Sequence, residues 1–87
     1  MDLVFVKKAW EDYVYWQQTD KSTLKRINLL IKETQHTPFS GVGKPEPLKF
    51  NMASCWSRRI DTEHRLVYKI QNEMLIILQC RYHYERP

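Results

Sequence analysis

The spacing of hydrophobic and polar residues changes several times along the chain, and each change marks a predicted element. Leu3-Val-Phe-Val6 is short, β-branched and aromatic, which is typical of a strand. From there to Thr19 the apolar residues recur at helical intervals, and Asp20 then stands where the N-cap of a second helix belongs. The apolar side of that second helix is formed by Leu24, Ile27, Leu30 and Ile31. We therefore predict a strand followed by a helical hairpin.

Glycine and proline dominate the stretch that follows the second helix. It holds both glycines of the chain and three of its four prolines, so we predict an irregular loop. Glu46 lies between Pro45 and Pro47, which restrict the backbone on both sides and so aim the carboxylate. Lys44 and Lys49 are close to it in sequence and favour its ionised form. The alternative interpretation is a solvated loop glutamate without a chemical role.

A β-hairpin with many cations is predicted next. Alternation along its returning strand places Leu66 and Tyr68 on one face, which we expect to pack on the helices. Arg65 then stands on the uncovered face, and Arg59 joins it there if Ile60 enters the core. Two arginines side by side form forked donors that can grip a phosphate. The alternative interpretation is a solvated hairpin with charged edges.

The last predicted strand runs from Met74 to Tyr84. Its apolar beginning indicates a central strand that is buried on both faces and becomes polar where it emerges. Unbroken alternation places Gln79 and His83 on one face and Cys80 on the other. A histidine in this polar part of the strand could donate or accept a proton near neutral pH.

Composition narrows the classes of function. Eighty-seven residues suit a single domain spanning 1–87, and a net charge of +4 is compatible with a polyanionic partner. Neither a signal peptide nor a membrane span is indicated, so a cytoplasmic location is expected. Cys55 and Cys80 are isolated and are expected to be buried thiols, which leaves no predicted metal site or cofactor. His36 and His64, in a helix exit and a turn, receive no role.

The remaining candidate groups are one carboxylate, several cations and one histidine, a set that has a use on RNA. A general base takes the proton from a ribose 2′-hydroxyl, and the oxygen attacks the neighbouring phosphate. Arginines stabilise the developing negative charge, and an acid protonates the departing 5′-oxygen. The nucleophile comes from the substrate, so these steps need no metal ion.

The order of the motifs resembles one toxin family over essentially the whole chain. The motifs are Trp10-Glu-Asp-Tyr-Val-Tyr-Trp-Gln-Gln-Thr-Asp, Gly43-Lys-Pro-Glu-Pro-Leu-Lys49, Trp56-Ser-Arg-Arg-Ile, Glu63-His-Arg-Leu-Val-Tyr68 and Arg81-Tyr-His-Tyr84. In this order they are similar to the YoeB/Txe toxins of the RelE superfamily. The resemblance implies an α+β fold, with an N-terminal helical hairpin packed on one face of a small antiparallel sheet. It also implies a ribosome-dependent messenger-RNA endonuclease that acts in the A site, forms homodimers and is neutralised by a YefM-like antitoxin.

The resemblance further implies roles for individual residues. The implied catalytic residues are Glu46 as general base, Arg65 as the transition-state arginine, His83 as general acid and Tyr84 beside it. The residues expected to hold phosphates or RNA are Lys49, Arg59 and Lys44. Two other classes of function stay open: a ParE-like toxin that inhibits its target without cutting RNA, and a basic nucleic-acid-binding module.

Overall fold

The computed structural model describes residues 1–49 and 52–83, in which two helices cover one face of a five-stranded sheet. In chain order the elements are β1 (Asp2–Phe5), α1 (Lys7–Thr19), α2 (Lys21–His36), β2 (Glu46–Pro47), β3 (Trp56–Arg59), β4 (Arg65–Gln71) and β5 (Met74–Gln79). Across the sheet the strands are ordered β1-β5-β4-β3-β2. The predicted central position of the last strand is confirmed, because β5 lies between β1 and β4.

The sheet is mixed, within the predicted α+β class. β1 pairs with β5 in parallel, whereas the other three strand pairs are antiparallel. A parallel pair needs a long connection, and here both helices and three strands lie between its members. The fold class predicted from the sequence is confirmed, with β1 as the one strand among the described residues that departs from an antiparallel arrangement.

The helical hairpin forms where the sequence predicts it. The backbone N–H of Thr23 donates to Asp20 Oδ1 at 3.1 Å, and the Thr23 hydroxyl donates to Oδ2 at 2.8 Å. These bonds satisfy an otherwise unpaired N–H of the first turn and lower the pKa of the Asp20 carboxyl. Within the described residues, neither helix combines the length and the apolar composition needed to cross a membrane.

Apolar side chains are buried on both faces of the sheet. The larger cluster lies between the helices and the sheet, and its fully buried members include Ala9, Ile27, Leu30, Leu66, Tyr68, Leu75 and Ile77. A smaller cluster on the opposite face contains Leu48, Cys55 and Val67. The predicted faces of Leu66 and Tyr68 are therefore confirmed. The opposite face is covered in part by the connection between β2 and β3, which the sequence analysis did not anticipate.

A register shift in β5 changes the face to which its last residues belong. Val67 pairs with Gln79 while Tyr68 pairs with Ile77, so Leu78 is an extra residue in the ladder. Paired residues share a face, which places Gln79 beside Val67 and away from the helices. Cys80 instead enters the core under the helices. The prediction of unbroken alternation to Tyr84 is wrong, because β5 ends at Gln79 and the bulge exchanges the faces before it does.

Candidate active site on the sheet face away from the helices

A row of paired residues places Glu46 on the sheet face away from the helices. Glu46 pairs with Ser57, and Ser57 pairs with Val67 of the smaller apolar cluster. Residues that pair directly point to the same face, so the Glu46 side chain projects there. Glu46 is exposed. The predicted irregular loop thus ends in a short strand, which fixes the direction of the carboxylate by main-chain pairing.

Arg59 and Arg65 lie on the same face, one step further along their strands. They pair directly with each other, and each is two residues from the row that contains Glu46. With strands about 4.8 Å apart and about 3.4 Å of rise per residue, the Cα of Glu46 lies about 8 Å from that of Arg59 and about 12 Å from that of Arg65. We call the surface formed by Glu46, Arg59, Arg65 and Gln79 the polar face.

Arg65 is more enclosed than the sequence analysis predicts. It was expected to be exposed, but only 8% of its surface is accessible. Its Nη1 donates to the carbonyl of Asp61 at 2.8 Å and to that of His64 at 3.1 Å, and its backbone N donates to the carbonyl of Tyr82 at 2.9 Å. The expectation of full exposure is wrong, because the β3–β4 turn and the chain after β5 both pack around this residue. The guanidinium is consequently held in place before any ligand arrives.

Arg59 differs from the enclosed Arg65 because its side chain is exposed. Its backbone is fixed, because its N donates to the carbonyl of Gly43 at 2.7 Å and its own carbonyl accepts from Arg26 Nη2 at 3.1 Å. Its side chain is exposed. Lys44 and Lys49 are exposed as well, on either side of β2. Lys44 and Lys49 flank Glu46 in the sequence, and Arg59 lies on the strand that pairs with β2. All three side chains are exposed and accessible to an anionic ligand.

Arg58 carries no predicted role and proves to organise the loop before Glu46. This arginine is fully buried, and its guanidinium donates to the carbonyls of Thr37 at 2.5 Å, Ser40 at 2.8 Å and Val42 at 2.8 Å. A buried cation requires such partners, since an unpaired charge is costly to remove from water. In the sequence, alternation places Arg58 on the same side of the strand as Trp56 and Ile60, and this is the side that faces the core.

Tyr68 completes the contacts that hold this loop. Its hydroxyl donates to the carbonyl of Pro38 at 2.6 Å and accepts from Arg58 Nε at 3.3 Å. Burial raises the pKa of the Tyr68 hydroxyl, and the bond from Arg58 opposes part of that rise. Gly43 closes the loop with φ +87°, where an added Cβ would lie 2.9 Å from Leu30 Cδ2. The loop is therefore rigidly joined to the sheet just before Glu46.

The start of the chain after β5 is anchored to α1. The backbone N of Cys80 donates to Asp12 Oδ2 at 3.0 Å, and Trp16 Nε1 donates to the Cys80 carbonyl at 2.8 Å. Lys8 pairs with the buried Asp12 carboxylate at 2.6 Å. Burial, with the charge of Asp12, raises the pKa of the Cys80 thiol to about 12. Cys55 and Cys80 are buried free thiols, as predicted.

His83 is brought to the border of the polar face by Gln79. The Gln79 Nε2 donates to the carbonyls of Arg81 at 3.0 Å and His83 at 3.1 Å. The bulge turns Gln79 away from the helices. Gln79 and the backbone bonded to it therefore lie towards the face that holds Arg65. His83 is exposed. Tyr84 lies outside the described residues, so its predicted role stays a prediction.

Among the predicted site residues, Glu46, Arg59 and Arg65 share one surface, and His83 is tied to its border. Within the described part of the chain, no group of three or more histidine, cysteine or carboxylate side chains is arranged to hold a metal ion. The arrangement offers an exposed carboxylate, a fixed arginine and an exposed arginine on one surface, with the exposed His83 at its border. Such a set fits a phosphodiester that lies across the sheet.

Comparison with known proteins identifies the family. The family model described as "YoeB-like toxin of bacterial type II toxin-antitoxin system" matches residues 5–84. Toxin YoeB of Escherichia coli (strain K12) is 57% identical over 84 residues, which cover 97% of this chain and 100% of the relative. This chain belongs to the YoeB toxin family. Toxin YoeB of Synechocystis sp. is 56% identical over 86 residues, or 99% of this chain and 100% of that protein.

Solved YoeB structures share the fold described above. The YoeB/ParE toxin from Agrobacterium tumefaciens is 50% identical and superposes with a TM-score of 0.94, over 97% of this chain and 100% of that one. The toxin in a heterotetrameric YoeB-YefM complex from Staphylococcus aureus is 45% identical, with a TM-score of 0.89 over 97% and 98% of the two chains. A YoeB dimer from the same organism gives a TM-score of 0.90 at 45% identity, with the same coverage.

Proposed function

We propose that this YoeB-family toxin is a ribosome-dependent endoribonuclease that cuts messenger RNA in the A site and so blocks translation. The observation that carries this proposal is the presence of Glu46, Arg59 and Arg65 on one sheet face, with His83 tied to its border. A carboxylate base, two arginines and an imidazole are groups that can carry out 2′-hydroxyl attack on a phosphodiester, as base, charge stabilisers and acid. No additional nucleophile is needed, because the ribose supplies it.

In the proposed reaction each group has one step. Glu46 takes the proton of the 2′-hydroxyl, and the oxygen attacks the adjacent phosphorus. Arg65, already fixed by carbonyls of the β3–β4 turn, stabilises the charge that develops on the phosphate oxygens. His83 donates a proton to the departing 5′-oxygen, with Tyr84 as a further contact. The products are a 2′,3′-cyclic phosphate and a 5′-hydroxyl.

The cations around the site hold the RNA backbone. Arg59, Lys44 and Lys49 are exposed around the short strand that carries Glu46. Phosphate contacts of this kind fix the position of a nucleic acid without reading its sequence. We therefore assign the choice of cut site to the ribosome, which presents the transcript in a defined position, and the orientation of the scissile phosphate to these side chains.

The proposed partners follow from the relatives and from the charge of the surface. A YefM-like antitoxin is the proposed inhibitor, because the Staphylococcus aureus relative forms a complex with YefM. An acidic segment of such a protein would complement the polar face and exclude RNA from it. A homodimer is proposed from the dimeric relative. A cytoplasmic location follows from the proposed substrate, since transcripts are translated there.

End-group analysis of transcripts from intact ribosome complexes tests the proposal. We expect a 2′,3′-cyclic phosphate and a 5′-hydroxyl at the cut, and no cut where the 2′-hydroxyl is replaced by hydrogen or methoxy. A 5′-phosphate with a free 3′-hydroxyl would overturn the mechanism. Inhibited growth with intact transcripts would favour a ParE-like toxin, and binding without either effect would favour a simple nucleic-acid-binding module.

A further inference from the structure

Tyr82 has an unusual backbone conformation in which both of its main-chain groups are bonded. Its φ is +65°, in the left-handed region that aromatic residues rarely adopt. Its N–H donates to His64 Nδ1 at 2.7 Å, and its carbonyl accepts from the backbone N of Arg65 at 2.9 Å. Such a conformation persists only where surrounding contacts impose it. Because His83 follows Tyr82 directly in the chain, these two bonds fix the direction of the backbone that leads into His83.

Of the two residues that bond to the main chain of Tyr82, His64 does so through its side chain and Arg65 through its backbone N–H. It is half-buried, and its ring meets Trp16 edge-on with the ring centres 4.9 Å apart. A nitrogen that accepts a hydrogen bond carries no proton, so the Nδ1 contact requires the neutral imidazole with its proton on Nε2. The Nε2 atom faces Glu63 Oε1 at 3.5 Å. The ring is thereby held in position by Trp16, and its Nδ1 and Nε2 atoms face Tyr82 and Glu63 respectively.

We propose that His64 is a positioning residue of the active site: its neutral imidazole holds Tyr82 in the left-handed conformation and so places His83 beside Arg65. The inference rests on the proposed function for the role of His83, whereas the contact itself does not. His64 touches no substrate in this arrangement. It acts through the main chain of Tyr82, which connects the turn before β4 to the residue that donates the proton.

Two substitutions of His64 separate the acceptor from the ring. His64→Asn keeps an acceptor near the position of Nδ1 and loses the ring, whereas His64→Phe keeps the ring against Trp16 and loses the acceptor. We expect His64→Phe to lower the cleavage rate by about 100-fold, because small misplacements of a catalytic group have effects of this size. His64→Asn should retain most of the rate. His36→Asn, at the exposed end of α2, is the control and should change nothing.

A measurement on the free protein tests the contact without reference to activity. In a background of Glu46→Gln and His83→Gln, which removes the neighbouring imidazole, the amide proton of Tyr82 is compared by NMR in the parent, His64→Asn and His64→Phe. Its chemical shift should stay that of a hydrogen-bonded amide in His64→Asn and should move upfield in His64→Phe, which has no acceptor.

The two measurements fail in different ways. A Tyr82 amide with the same chemical shift in the parent and in His64→Phe would overturn the inference, even if the wild-type protein cuts RNA. Equal loss of cleavage in His64→Phe and His64→Asn, with both variants folded, would overturn it too, because the ring and not the acceptor would then matter. A Tyr82 amide that depends on the acceptor, in a protein that never cuts RNA, would refute the proposed function alone.

Discussion

Two adjacent arginines of β3 should respond to substitution in opposite ways. Arg58 is fully buried and donates to three main-chain carbonyls and a tyrosine hydroxyl, whereas the Arg59 side chain is exposed. Arg58→Met keeps much of the side-chain volume and removes every one of those bonds. Arg59→Met is the matched control, because it makes the same chemical change at the next position of the same strand.

The expected loss of stability can be worked from these contacts. A hydrogen bond to a charged group contributes about 1.5–3 kcal/mol, but Thr37, Ser40 and Val42 are exposed residues whose carbonyls water can partly satisfy. We therefore expect Arg58→Met to lower the free energy of unfolding by about 3–5 kcal/mol, which corresponds to the uncompensated loss of two of the four bonds. Arg59→Met should change it by less than about 0.5 kcal/mol.

Urea unfolding of both variants, in an inactive Glu46→Gln background, measures the difference. For a protein of this size the slope is about 1 kcal/mol per molar urea, so the midpoint of Arg58→Met should fall by roughly 3–5 M. Arg59→Met should keep its midpoint and weaken RNA binding instead. Equal midpoints for Arg58→Met and its parent would refute our account of the loop, since the four bonds would then contribute nothing net.

Three further predictions concern catalysis, RNA binding and pH. Glu46→Gln, Arg65→Lys and His83→Gln should each lower the cleavage rate by on the order of 100-fold or more while the protein stays folded. Near-normal cleavage by folded His83→Gln would remove it from the role of acid. Lys49→Ala should weaken binding of RNA and reduce the salt dependence of that binding by about one counterion, in a titration from low to high salt. An unchanged slope would show that Lys49 makes no phosphate contact. Because burial raises the pKa of Tyr68, its contribution to stability is complete below the unfolded pKa near 10 and is lost as the pH rises through the folded value. Tyr68→Phe should therefore flatten the alkaline part of a stability curve, and an unchanged curve would contradict this assignment.

Sequence patterns predicted the helices, the hairpin and the face of Arg59 better than they predicted the short strand that carries Glu46 or the surroundings of Arg65. Alternation placed Arg65 on the correct face of β4, but its burial depends on the chain after β5, which is remote in sequence. The bulge at Leu78 had no signal either, because the run from Leu75 to Leu78 is apolar throughout and reads the same in either register.

The roles of Arg58 and His64, two residues without a predicted role, are explained by the hydrogen bonds that they make. Arg58 could have been singled out, since a cation on the core side of a strand must find acceptors. His64 could not, because its partner is a main-chain N–H made available by the conformation of Tyr82. Side-chain patterns report which face a residue occupies, but they do not report which main-chain groups a turn will leave unpaired.

The parallel pairing of β1 with β5 has a consequence for the order in which the sheet can form. Among the described residues β5 is the last strand in chain order, yet it lies between β1 and β4 and carries the bulge that directs Gln79. During synthesis β1 has no strand partner until β5 has left the ribosome, and contacts so distant in sequence form slowly. The side of the sheet formed by β1 and β5, and with it the position of Gln79, is therefore the last to assemble.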